Sequence, residues 1–340
     1  MTRVWKVGKG RDTMYINDLF DLCKDKVVWI QTHNFPDPDA IASAFGMQKL
    51  LEAKGISSKL CYEGVIDKLS STKMLELLDE PMSAHDEIEN EMTEEDMIIL
   101  VDCQKNNGNT TDLIGAELAV VDHHPTFVSV EYEYSDIRIT GACASIVAGY
   151  YKMLGITPNR KVATALLYGI KMDTLQFSRG VTAFDIEMYG YLFEFIDQEL
   201  LKKLESNNME LDDLQAYGTA INNVKIYGTV GFSYLDYECP DALVAILSDF
   251  ILALQEVEVV VLYARRRGGY KFSFRSERED VNAGILANEG LKEWGNGGGH
   301  ATMAGGFAAD EKMNTREEMV YHVVRSHFTK LIQEKWPQIL

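Results

Sequence analysis

Positive charge is scarce in this chain: 33 Lys and Arg stand against 52 Asp and Glu in 340 residues, for a formal net charge of -19. Such a balance excludes tight wrapping of long DNA or RNA, whose affinity rests on cations that neutralise phosphates. Cysteines are also few. The five, Cys23, Cys61, Cys103, Cys143 and Cys239, show no Cys-x-x-Cys spacing, which argues against a zinc knuckle and a disulfide framework. No run approaches the ~20 apolar residues that span a bilayer, and residues 1–9 lack the apolar stretch of a signal peptide, so a cytoplasmic location away from membranes is expected. Internal repeats, heptad arrays and low-complexity tracts are missing as well. What remains is an ordinary globular composition, 46% hydrophobic and 25% charged, at a length too great for one typical core, so two domains are expected. A small anionic substrate stays compatible with the acidic balance, because a metal site and a few arginines reverse the field inside one cleft.

Residues 26–31 (KVVWIQ) form a short apolar, β-branched run that reads as a buried strand and ends at Thr32-His33. Residues 96–101 (DMIILV) end the same way at Asp102, and 117–121 (ELAVV) at Asp122-His123-His124. Helical periodicity follows over 40–54, 142–154 and 161–171, the last with Asp173 just beyond it. Strands that alternate with helices imply βαβ units and an α/β parallel sheet with helices on both faces, in which ligands bind beyond the carboxyl ends of the strands. Residues 1–190 are expected as one such domain. A charged, helical connector is expected over 191–224. Residues 225–340 then read as a smaller mixed α+β domain, with a hairpin around Gly268-Gly269, a glycine-rich loop at Gly295–Gly299 and a terminal helix.

The polar clusters sit where that rule puts a site. In His33-Asn34-Phe35-Pro36-Asp37-Pro38-Asp39, three potential ligands fall within seven residues on a turn stiffened by two prolines. A histidine with two carboxylates suits a divalent ion such as manganese; aspartates capping the next helix are the alternative. Asp122-His123-His124 at the end of a buried strand carries a large desolvation cost unless the groups are paired or bind an ion. Taken singly, Asp102 and Asp173 are compatible with simple capping roles.

In these residues the chain resembles the DHH phosphoesterases, named for the triplet present at 122–124. Four motifs occur in family order: His33-x-x-x-Asp37-x-Asp39, Asp102, Asp122-His123-His124, and Asp173-Thr174 with Phe177 and Thr182 behind it. The resemblance implies two manganese ions, with magnesium or cobalt as substitutes, that activate water for in-line attack on a phosphoryl group. It assigns His33 and Asp37 to one ion, Asp39, His123 and Asp173 to the other, and Asp102 to both. His124 is then free to contact the reacting phosphate, and Asp122 orients its neighbouring imidazole. The second half resembles the domain that accompanies the triplet domain in the nuclease branch. Its matching pieces are Phe272–Ser276, Asn282, Gly297-Gly298-Gly299-His300 and Ala304–Gly306. There Arg275 and Ser276 would meet a phosphate, with Arg275 bidentate, and Gly297, Gly298, Gly299 and His300 would form a second phosphate contact. Two positions depart from many relatives, Ala42 and Leu175, where glycine is common; both bear on substrate preference and leave the ligand set intact.

The resulting expectation is a nano-RNase-like exonuclease or oligoribonuclease. It would remove mononucleotides from very short oligoribonucleotides and also dephosphorylate 3′-phosphoadenosine 5′-phosphate. A stand-alone cyclic di-AMP or linear pApA phosphodiesterase is the alternative, and a nucleotide sensor without turnover is the alternative from another class. A homodimer is the default expectation.

Overall fold

The computed structural model describes residues 16–66, 68–88, 90–206 and 209–340; the leader reading at residues 1–9 lies outside them. The chain divides into two compact units, residues 1–208 and 209–340. Strands β1 (Val28–Gln31), β2 (Ser58–Tyr62), β3 (Met82–Ala84), β4 (Met97–Val101), β5 (Ala116–Asp122) and β6 (Tyr134–Ile137) make a six-stranded sheet in the first unit, ordered β3-β2-β1-β4-β5-β6. All its pairings are parallel. Every residue of β1 and β4 is buried, as parallel strands covered on both faces require.

Helices α1 (Ile16–Leu22), α2 (Pro38–Glu52), α3 (Leu69–Leu78), α4 (His85–Ile88), α5 (Cys143–Leu154), α6 (Arg160–Asp173), α7 (Ala183–Phe193) and α8 (Gln198–Glu205) complete this unit. Val28 and Ile30 face the larger core, built mainly with α2, α5 and α6. Trp29, Ile98 and Leu100 face a smaller one with Ile88, Met92 and Leu113, so short α4 and its neighbouring loops cover that side. The strand order reverses between β1 and β4, and the crevice at such a reversal is where open α/β sheets bind ligands.

In the second unit, β7 (Lys225–Tyr227), β8 (Val230–Leu235), β9 (Val259–Arg266), β10 (Gly269–Ser276), β11 (Gly295–Gly299) and β12 (Met303–Ala309) form a mixed sheet ordered β11-β12-β10-β9-β8-β7. Only β8 and β9 pair in parallel among them. Helices α9 (Leu211–Asn223), α10 (Asp241–Leu252), α11 (Ala283–Leu291), α12 (Asp310–Met313) and α13 (Val320–Lys335) pack with this sheet. The hairpin expected at Gly268 is the β9–β10 turn, with Gly268 at φ 79°.

Two expectations need correction. The glycine run Gly295–Gly299 is an edge strand, not a loop, paired with β12 over its whole length. Its glycines let α11 lie directly on the strand: a Cβ on Gly297 would come within 2.5 Å of the Ala287 carbonyl. The connector expected over 191–224 is shared between the units. Helix α8 buries Leu201 and Leu204 in the first core, whereas α9 buries Ala216 and Ala220 in the second unit, and residues 207–208 between them lie outside the described residues.

Candidate metal centre

Each strand end delivers one part of a cluster. Beyond β1, the turn 33–39 closes onto α2, with Pro38 as a pre-formed first helical residue. Asp37 caps that helix, its Oδ1 accepting from the Asp39 and Ala40 amides at 3.0 and 3.1 Å, and lies 3.8 Å from His33 Nε2. The capping and ligand readings of this motif are thus both compatible with one carboxylate. Asp39, one residue inside the helix, is buried and accepts from the Cys143 and Ala144 amides at the start of α5 at 2.7 and 2.9 Å. Gly169 of α6 makes room for it, since a Cβ there would come within 3.1 Å of Asp39 Oδ1.

Beyond β4, Asp102 takes left-handed backbone, φ 61°, a conformation costly to a residue other than glycine and concentrated at functional sites. It presents one oxygen to each side of the cluster. Oδ2 lies 3.6 Å from His33 Nε2 and Oδ1 lies 3.3 Å from His123 Nε2. Oδ1 is buried and makes no hydrogen bond. His123 Nε2 also lies 3.3 Å from Asp173 and 4.0 Å from Asp39, while its Nδ1 is held by the Thr140 carbonyl at 3.0 Å. Asp122 takes no place among these atoms. Its carboxylate anchors His124 Nδ1 at 2.9 Å, and Gln104 Nε2 donates to its other oxygen at 2.6 Å. The imidazole it orients is therefore that of His124, whose Nε2 is left unbonded.

Among the described residues, three groups of possible metal-holding side chains have ligand atoms within 4.8 Å of one another: His33-Asp37-Asp102, Asp39-His123-Asp173 and Asp102-His123-His124. The first two are the sets assigned to each ion, and Asp102 is common to the first and third. Four carboxylates converge here with one guanidinium contact, Arg179 to Asp173 at 3.2 Å.

The electrostatics express that imbalance. Burial resists charge on His123, yet Asp102, Asp39 and Asp173 push its pKa up to about 11. Burial likewise opposes charge on His33, and Asp37 and Asp102 raise it to about 9. Burial and the neighbouring Asp102 and Asp173 charges hold Asp39 well above the carboxylate range. Burial also raises Asp173, to about 6, against the pull of His123. For Asp37 burial works upward as well, but the His33 hydrogen bond and charge leave it below the ordinary range. Carboxylates and imidazoles that compete for protons in a buried cluster, with one carboxylate oxygen lacking a hydrogen bond, fit divalent cations of intermediate hardness.

Arg179, Gln104 and Asp185 were not anticipated from the sequence. Arg179 reaches Asp173 because residues 175–177 take three successive left-handed conformations, φ 46°, 57° and 69°. Leu175 opens that turn. Asp185 is fully buried and binds the Gly141 amide at 2.8 Å and Ser145 Oγ at 2.6 Å, which ties α7 to the loop whose Thr140 carbonyl holds His123. Gln104, two residues past Asp102, is the one of the three with a local signal: a polar residue at the end of an apolar strand.

The second unit gives a different account of its expected residues. Arg275 is 9% exposed, and its guanidinium is engaged by Asp249 of α10, by Ser273 Oγ at 3.2 Å and by the Phe274 carbonyl at 3.0 Å. In this structure the guanidinium is thus engaged within the unit, chiefly by Asp249. Ser276 is buried, its hydroxyl turned to the Arg278 carbonyl. Gly297 and Gly298 line an open groove with Lys271, Gly305 and Phe307, and His300 is exposed beside the strand.

Residues 27–170 match the DHH family, N-terminal domain, and residues 228–325 match the DHHA1 domain. An uncharacterised protein of Methanocaldococcus jannaschii is 28% identical over 312 residues, which cover 89% of this chain and 63% of that protein. The chain therefore spans under two thirds of that relative's length. A probable manganese-dependent inorganic pyrophosphatase of Bacillus cereus is 28% identical over 188 residues, covering 54% of this chain and 58% of that enzyme. Among solved structures, an exopolyphosphatase-related protein from Bacteroides fragilis superposes with a TM-score of 0.75 at 18% identity, covering 93% of this chain and 94% of that one. That likeness establishes the fold.

Proposed function

We propose that this chain, which carries a DHH domain followed by a DHHA1 domain, is a manganese-dependent phosphodiesterase and phosphatase of short oligoribonucleotides and 3′-phosphoadenosine 5′-phosphate. One observation carries the two-metal part: the Asp102 carboxylate, with Oδ2 toward His33 and a buried Oδ1 that makes no hydrogen bond toward His123. In this reading His33 and Asp37 hold one ion, Asp39, His123 and Asp173 the other, and Asp102 both. When bound, the two ions supply water activation at neutral pH and charge neutralisation at the phosphoryl group.

The chain's own residues do the rest. Asp122, braced by Gln104, fixes His124 through Nδ1; burial opposes charge on that ring but Asp122 and Asp102 raise its pKa, and in the charged form Nε2–H is left to donate to a phosphate oxygen. Arg179 shares Asp173 and adds a positive charge at the edge of the cluster. The Thr140 carbonyl sets the His123 tautomer, so that Nε2 is the nitrogen offered to an ion. Support for a nucleotide over pyrophosphate comes from the DHHA1 domain and its open, glycine-lined groove with Lys271 beside it. The net charge of -19 supports a short substrate over a long one.

The test is the initial rate of manganese-loaded protein on linear pApA, cyclic di-AMP, 3′-phosphoadenosine 5′-phosphate and pyrophosphate, side by side. Cleavage of pApA and 3′-phosphoadenosine 5′-phosphate with little release from pyrophosphate is expected. Preference for cyclic di-AMP would replace the short-oligonucleotide assignment, and silence on all four despite bound manganese would contradict it.

A further inference from the structure

Phe35 is out of keeping with its surroundings. It stands between His33 and Asp37, on the turn that carries both, with 60% of its surface exposed. Its backbone is left-handed, φ 57°, which is an outlier for a bulky residue, and Pro36 follows it and restricts it further. That conformation is pinned on both sides. The Phe35 amide donates to the Glu63 carbonyl at 3.0 Å and the Asn34 amide to the Asn109 carbonyl at 2.7 Å. The Asn34 side chain is also tied to Thr111 by bonds of 3.0 and 3.1 Å. The ring has a seat of its own: it lies so close over Gly64 that a Cβ there would come within 2.7 Å of Cε1. A solitary exposed apolar side chain is ordinary on a surface. One fixed by a strained, doubly pinned backbone on the turn that bears two candidate metal ligands is not.

We propose that Phe35 is a platform on which a nucleobase of the substrate stacks. The proposal deepens the phosphodiesterase reading above and rests on it. A flat aromatic ring recognises the face common to all bases, so the platform favours nucleotides over base-free phosphoesters without selecting a sequence. It needs no positive charge, which suits an acidic chain.

The experiment compares wild-type protein with Phe35→Gly, Phe35→Ala and Phe35→Trp. Glycine keeps the left-handed backbone without strain, so that variant retains its fold, and an unchanged or higher melting temperature checks this. We expect the KM for pApA to rise about tenfold in Phe35→Gly and Phe35→Ala, with kcat little changed and Phe35→Trp close to wild type. A dinucleotide carrying 2-aminopurine in place of both bases should lose fluorescence on binding to wild type, and less of it on binding to Phe35→Gly. An unchanged KM and unchanged quenching in Phe35→Gly, beside an active wild type, would overturn the stacking role alone. A wild type that neither binds nor cleaves pApA would remove the parent reading and the platform with it.

Discussion

The two units differ in how the charged residues singled out from the sequence are partnered. In the second, Arg265 pairs with Asp310, Arg266 with Asp241, Arg275 with Asp249 and Arg278 with both Glu258 and Asp280. In the first, Asp37, Asp39, Asp102 and Asp173 gather with a single arginine contact and raise the basicity of the histidines among them. Most of these pairs are half-exposed, but the Arg275 side chain is buried, so removal of Asp249 would leave its charge stranded. Unpaired buried charge of one sign costs stability and is retained where a ligand supplies the missing counter-charge. Arg275, expected from a motif as a phosphate contact, already has a carboxylate partner in Asp249.

The contrast can be broken most severely at its centre. Asp102→Asn is expected to lower kcat on pApA by on the order of a thousandfold or more, because one carboxylate serves both halves of the cluster. Near-wild-type turnover would contradict the bridging role. Gln104→Ala, which removes a brace from Asp122, should cost about tenfold in kcat through a loosened His124, with the fold retained; steady-state kinetics on pApA would show it.

Arg275→Ala sharpens the other side. The family resemblance implies a rise in KM far larger than any fall in kcat. The observed pairing leads instead to a stability loss of about 1–3 kcal/mol with a modest change in KM. Denaturant unfolding of Arg275→Ala, Asp249→Ala and the double variant should show coupling, and strict additivity would contradict the pairing.

The smallest effect is in pH dependence. Both imidazoles have raised pKa values, so the stability they give the metal-free chain is fully present below about 6.5, the unfolded histidine value, and is lost as pH rises through about 9 for His33 and about 11 for His123. Melting temperatures of metal-free protein should therefore fall from pH 7 to 10. Manganese binding at neutral pH should release protons, which calorimetry in buffers of different ionisation enthalpy measures.

Much of the first unit is legible in the sequence, because a parallel strand buried on both faces is a short apolar run and its polar successor marks the carboxyl end. His33, Asp102 and the 122–124 triplet all announce themselves in this way. Asp173 is less visible: it closes α6 as the last helical residue, and only its neighbours in space give it meaning. Arg179 depends on three left-handed residues that no local pattern signals. Asp185 acts through Gly141, 44 positions away along the chain. In the second unit, Gly295–Gly299 looks like a loop because glycine is a poor strand former, and only the close approach of α11 explains it as a strand. The Arg275–Asp249 pair spans 26 residues and is fixed by the packing of α10, so a motif alone points the arginine outward.

The most direct test of the central claim is the number of manganese ions bound per chain, measured by mass spectrometry of the metal and followed against pApA hydrolysis during titration. The account predicts two ions per chain and a rate that climbs as the second is filled. Full activity with one ion, or none, would contradict it.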